Sequence, residues 1–438
     1  MNGKKLLLIV SFIVLLLVGW IFTMRAMTGV EVREKQNELV AQADEYAGKE
    51  LYIRAIPLYE EALNLKTDEN STIEKKLLSC YYGSGDSASY LALVALRVDN
   101  NRAEDQEYIQ AAEYYINSYE YDEAMKLVKR GIDQLNSESL KEYYETNRYS
   151  YTMISTKYQE ILPTATNELM PVFDGDKWGF VNSRGRLMLE PVYDKVVPFN
   201  TDGYAAVQVA GTYYVILTDG AKYGVDETGI SDVAAMTEWD VIAKVNGKYG
   251  YYNYDFQCVA ENFQFDQMSV NACGLAAVRN GEKWSIITDA GETILDFVLD
   301  DVALNSLGAA YAGDVAMVKM GDAWYLINTA GEKISEKGYA NAKAPESDGF
   351  IAVANEEGLW GFIDQTGKEV IPCEYQDAKS FSDHVGAVEK LDGWKYISES
   401  NQVIIDEILE DAQPFHNGVA QAGFVDGIAL IKLDYVEE

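Results

Sequence analysis

Histidine is almost missing from this chain: only His384 and His416 occur in 438 residues. A Ser-His-Asp apparatus or a histidine-based metal site therefore has almost no material. Cysteine is nearly as scarce. Cys80, Cys258, Cys273 and Cys373 are scattered without any C-x-x-C spacing, which excludes the common zinc frameworks and a disulfide scaffold. Positive charge is also in deficit, with 36 Lys and Arg against 70 Asp and Glu and a formal charge of −34. Such a field repels polyphosphate, so nucleic acid is excluded as a partner class, and the same charge keeps a large surface in solution. No glycine-rich phosphate loop, G-x-S-x-G elbow or H-E-x-x-H helix is present. On these grounds no catalytic residue, metal or cofactor is expected.

What is present is sharply organised. After Lys4 and Lys5, the run from Leu6 to Phe22 carries no charge. At helical rise it covers roughly 25 Å, enough for a thin bilayer. The following Met24, Arg25, Ala26 and Met27 fit a signal-peptidase site poorly. Residues 1–29 are therefore read as an uncleaved transmembrane signal anchor with a cytoplasmic N-terminus. That places the bulk of the chain outside the cytoplasm, at the cell membrane.

Residues 30–160 show helical periodicity. Leu39, Ala43 and Tyr46, then Ala55, Tyr59 and Ala62, form a pattern of small residues alternating with aromatics. It returns at Tyr108, Ala112, Tyr115, Ala124, Val128 and Gly131, with a degenerate unit between at Ile73 to Leu96. This region resembles tetratricopeptide (TPR) repeats, in which small residues let paired helices approach. Ser137 to Tyr158 is read as a polar capping helix, and residues 161–168 as a linker.

From 169 to 438 short runs of Val, Tyr, Ile and Phe alternate with Gly, Asp and Asn, the chemistry of strands and turns. An aromatic returns about every 35 residues, at Trp178, Tyr213, Tyr249, Trp284, Trp324, Trp360 and Trp394. The widest spacing separates Trp284 from Trp324. Seven residues after each comes Gly185, Gly220, Gly291, Gly331 or Gly367, then Asn401, while Phe256 breaks the rule. Gly or Asn at a fixed place after a short strand marks a hairpin that needs positive φ. An eighth, shorter unit, "VDGIALIKLDYVEE", has Ile428 at the aromatic place.

"KWGFVNSRGRLMLEPVYDKVVPF" and "LWGFIDQTGKEVIPCEYQDAKSF" carry the resemblance furthest: this region resembles an array of WG (KWG) repeats. Repeats that cannot bury their own faces need neighbours. A propeller-like ring of about seven units is thus favoured, closed by strands before Trp178 and after Gly427, with an open β-solenoid as the alternative.

The equal spacing of the aromatics argues that each plugs the gap between adjacent repeats instead of forming a ligand platform. Glu190, Asp194, Asp300, Asp301, Glu374 and Asp377 follow the hairpins, but nothing marks one pair for glycosidase chemistry. The recurrent Asp of "VYDKV" is read as a turn or capping group, and both histidines as exposed loop residues. The resemblance implies a binding or scaffold role in protein–protein interaction, with a protein partner or a cell-envelope polymer as ligand. A carbohydrate-binding module is the first alternative and a cell-surface hydrolase the second.

Overall fold

The computed structural model describes residues 29–65, 70–164, 169–238, 240–259, 264–347 and 349–437. The expected anchor, Leu6 to Phe22, lies outside them. Among the described residues no helix is long and apolar enough to cross a membrane. The chain divides into two compact units, one ending at Arg148 and the other beginning at Tyr149.

The regular structure among the first unit's described residues is all helical. α1 covers residues 29–47, followed by α2 (Tyr52–Leu63), α3 (Asn70–Ser84), α4 (Ser87–Asp99), α5 (Asp105–Asn117), α6 (Tyr121–Leu135) and α7 (Glu138–Asn147). The small residues of the repeat pattern are the buried ones: Ala43, Ala55, Ala62, Ala112 and Ala124 have no exposed surface. Gly131 packs so closely that a Cβ there would stand 2.9 Å from the side chains of both Leu140 and Tyr108. The degenerate unit, α3 and α4, holds an ionic hub. Arg97, fully buried, bonds both carboxylate oxygens of Glu107 (2.8 and 2.9 Å), Glu74 (2.9 Å) and the Arg102 carbonyl (2.7 Å). A planar guanidinium matches that multidentate demand, which a lysine would not.

The capping helix stops at Asn147, short of the expected Tyr158, and Tyr151–Ser155 is a strand. Glu160–Ile161, at the start of the expected linker, is a strand too. Both belong to the second unit, a ring of eight blades, so the expectation of about seven repeats is corrected. Blade 1 spans Glu160–Tyr193, blade 2 Lys195–Val225, blade 3 Asp232–Tyr252, blade 4 Gln267–Leu299, blade 5 Asp301–Asn328, blade 6 Asn341–Tyr375 and blade 7 Asp377–Leu409. Blade 8 takes three strands from Asp411–Leu433, and its fourth is Tyr151–Ser155, in antiparallel register from Tyr151↔Leu433 to Ser155↔Ala429. The unit that looked truncated is completed by residues preceding the first repeat, which cover the edge of Gly427–Leu433.

The apolar clusters lie between blades. Trp360 and Phe362 of blade 6 pack with Ala378, Phe381 and Val388 of blade 7. Trp394 and Leu409 of blade 7 pack with Phe415 and Ala422 of blade 8. Val172 and Val181 of blade 1 pack with Val419 and Leu430 of blade 8, which closes the ring. The open-solenoid alternative is thereby excluded.

The hairpin turns repeat atom for atom. Gly185, Gly220, Gly291, Gly331, Gly367 and Asn401 each donate a backbone N–H to the carbonyl three residues earlier and have φ between 61° and 83°. Phe256 does the same with φ 57°, so the apparent exception keeps the backbone and exchanges only the side chain. Its ring is fully buried among Tyr213, Val215 and Val233. Packing there offsets the cost of a left-handed non-glycine residue.

Candidate functional site

The seven aromatics are not brought together. Tyr213, Trp284, Trp324, Trp360 and Trp394 are buried, each in its own cluster between two blades. Tyr249 is half-buried against the junction of blades 3 and 4. Trp178 is also half-buried and meets Phe173 of its own blade, with ring centroids 5.2 Å apart.

The recurrent Asp has a repeated task. Asp194 pairs with Lys177 of the preceding blade and accepts the Ala210 N–H of the next (2.6 Å). Asp266 does so with Lys248 (2.7 Å) and the Gly281 N–H (2.8 Å), and Asp300 with Lys283 (2.5 Å) and the Gly321 N–H (2.7 Å). The lysine contact, then the backbone bond, hold all three carboxyls below the usual carboxylate range. These acids staple neighbouring blades, and they are committed to structure.

The chemistry that is not committed gathers where the first strand of each blade turns into the second. In blades 1 to 5 these segments, at residues 162–164, 197–201, 234–238 with 240, 270–273 and 306–308, line one continuous groove of about 810 Å³. The corresponding turns of blades 5 to 8 line a smaller cavity of about 400 Å³. Because successive first strands converge on shared cavities, they form the centre of the ring.

Between the two cavities runs the turn of blade 5, residues 303–314, which accounts for the wide Trp284–Trp324 spacing. It is tied to three other blades. The Val270 N–H of blade 4 donates to the Gly308 carbonyl (2.8 Å), and Asn305 Nδ2 donates to the Pro345 carbonyl of blade 6 (3.2 Å). Ser306 Oγ donates to Glu346 Oε2 (2.7 Å) and lies 2.6 Å from Nε2 of His416 in blade 8. The Ser306 N–H also reaches both Glu346 oxygens, at 3.1 and 3.2 Å.

A serine, a histidine and a glutamate in contact invite comparison with a nucleophile and its base. The proton inventory points elsewhere. Ser306 Oγ is engaged by Glu346, its contact with His416 Nε2 suits either imidazole tautomer, and an imidazole that burial holds neutral is a weak base. Burial drives His416 down to about 4, and burial raises Glu346 despite the bonds from Ser306. The arrangement is a polar latch.

His416 is thus buried, which corrects its reading as an exposed loop residue; the burial comes from the blade 5 turn crossing the ring. His384 is half-exposed, with Nδ1 3.1 Å from Glu399 Oε1. Among the described residues no group of His, Cys, Asp and Glu is arranged to hold a metal ion. Ser306 and Glu346 had no motif to announce them, and only the long spacing before Trp324 pointed to that turn.

The groove itself carries one sign of charge. Glu238, Asp240 and Asp289 line it, with no lysine or arginine among its lining residues. Its walls are apolar, including Val197, Met236, Tyr251, Val270 and Leu307. Burial raises the Asp240 carboxyl.

The family model described as the WG containing repeat matches residues 178–213, 249–284 and 360–394, which supports a WG-repeat protein. No curated protein matches the chain. Solved structures similar to it include Kluyveromyces lactis Hsv2p, at 10% identity over 57% of this chain and 96% of that one, with a TM-score of 0.39. The Pan2 WD40 domain of Neurospora crassa aligns at 10% identity over 56% and 90%, with a TM-score of 0.32. The WD40 domain of SCAP from fission yeast aligns at 8% identity over 65% and 98%, with a TM-score of 0.35. Likeness at this level carries no argument; the propeller assignment rests on the sheets themselves.

Proposed function

We propose that this protein is a non-catalytic binding scaffold for protein partners, held in a membrane by Leu6 to Phe22 with both units outside the cytoplasm. The observation that carries the binding role is the five-blade groove, a broad concave surface with apolar walls and carboxylates that no cation in its lining neutralises. WG repeats supply a rigid frame for it. The helical unit, with TPR-like packing of small residues, offers a surface of its own, and the anchor would raise the local concentration of partners near the membrane. The charge of −34 disfavours nucleic acid as a ligand of either surface.

Proximity labelling from the intact anchored chain tests the partner class. Reproducible labelling of particular proteins is expected. Retention of the ring on purified wall polymers, with no protein labelled above background, would favour the polymer reading instead. Protease accessibility in intact cells tests the topology, since a protected ring would place it on the cytoplasmic side.

A further inference from the structure

We infer that the five-blade groove takes an extended segment of a partner polypeptide in which Lys or Arg stands beside apolar side chains. This rests on the scaffold reading and names the partner's chemistry.

Shape favours a chain over a compact ligand. The groove is built from the corresponding turns of five consecutive blades, so it follows an arc around the ring centre and is not a single pit. At about 810 Å³ it has room for several side chains. Its far end is set by the blade 5 turn, where Ser306 is held by Glu346 and His416 and Leu307 and Gly308 face the groove. That latch keeps the arc open on one side and divides it from the smaller cavity.

Charge selects the sequence of the segment. Glu238 and Asp289 are exposed at the groove, and Asp240 is half-buried in its wall. The staple acids Asp194, Asp266 and Asp300 already have lysine partners, whereas these three have no Lys or Arg ion pair among the described contacts. A cationic side chain entering the groove gains a carboxylate neighbour, and its flanking apolar groups cover Val259, Val270 and Leu307, which keep exposed surface there. An acidic segment would add like charge to a strongly negative surface.

The groove also contains its own reporter. Cys273, an exposed thiol, is one of the lining residues. The test uses the full-length chain in detergent with three pools of synthetic peptides: Lys/Arg with Leu and Phe, Asp/Glu with Leu and Phe, and uncharged with Leu and Phe. Alkylation of Cys273 is followed by mass spectrometry and binding by fluorescence anisotropy. The basic pool is expected to protect Cys273, and the combined variant E238Q, D240N and D289N to weaken its binding by about tenfold or more. Equal protection by all three pools, or an unchanged affinity in the variant, would overturn the inference. Thermal unfolding of the variant separates lost charge from lost fold, and protection of the wild-type thiol stands independently of it. Proximity labelling with the same variant keeps the two ideas apart. Partners labelled as in wild type would leave the scaffold reading standing and remove the groove from it, while no specific partner in wild type would sink the scaffold reading.

Discussion

The Ser306 hydroxyl lies 2.6 Å from His416 Nε2, although 110 residues separate them and they belong to blades 5 and 8. The bond helps fix the blade 5 turn, which is also tied to blades 4 and 6. Ser306→Ala leaves the buried His416 and Glu346 groups without their shared partner and is expected to cost about 1–3 kcal/mol. Urea denaturation measures this, and an unchanged midpoint would show that the turn is held by Asn305 and Gly308 alone.

The same histidine gives a pH dependence. Its ordinary value of 6.5 falls to about 4 on folding. The unfolded chain therefore binds the proton more readily, and the His416 contribution is full above 6.5 and lost as pH falls toward 4. The loss amounts to about 3 kcal/mol by linkage. Glu346 is shifted upward by burial, so its ionised form is disfavoured in the fold and its own contribution declines as pH rises past the usual carboxylate value. The two oppose each other in mildly acidic solution. Comparing wild type with His416→Gln across pH 4 to 7 isolates the histidine; parallel stability curves would contradict it.

Arg97 is the centre of the helical unit. Its removal takes the bidentate partner from buried Glu107 and leaves buried Glu74 to Arg102 (2.9 Å), and Arg97→Met is expected to cost about 3–5 kcal/mol. Replacing all three by apolar residues of similar size should recover much of that. Helical circular dichroism during thermal unfolding is the readout.

The glycine of the WG pair has a steric cause. A Cβ on Gly361 would stand 2.6 Å from the backbone of 371–373, where the fourth strand bulges toward the third. At the matching places Ser285 bonds the Leu295 carbonyl (2.6 Å) and Lys395 bonds the Glu407 carbonyl (3.1 Å), so the approach is tolerated where the side chain is polar. Gly361→Val is expected to unpair the fourth strand of blade 6, seen as accelerated hydrogen exchange in residues 369–375. Protection equal to wild type would refute the steric account.

The tryptophans should not be equivalent. Trp394 is buried between blades 7 and 8, and Trp394→Ala is expected to cost about 3–5 kcal/mol. Trp178, half-buried against Phe173, should cost distinctly less. Equal losses in chemical denaturation would mean that burial does not rank these positions.

Sequence alone determined the unit of construction. Strands and positive-φ turns are set by local chemistry, so Gly185 and its counterparts were legible, as were the small residues at helix contacts. Blade 3 shows the limit: Phe256 has the glycine's backbone because its ring fills an interface no local pattern displays. Only the tertiary structure decided the number of blades. Pairing of Tyr151–Ser155 with Gly427–Leu433 spans nearly the whole second unit, and periodicity is blind to contacts that distant in the chain. The central face was hidden for the same reason. Ser306, Glu346 and His416 come from three blades, and the groove's three carboxylates look like any others among 70 acids until ring closure gathers the turns that carry them.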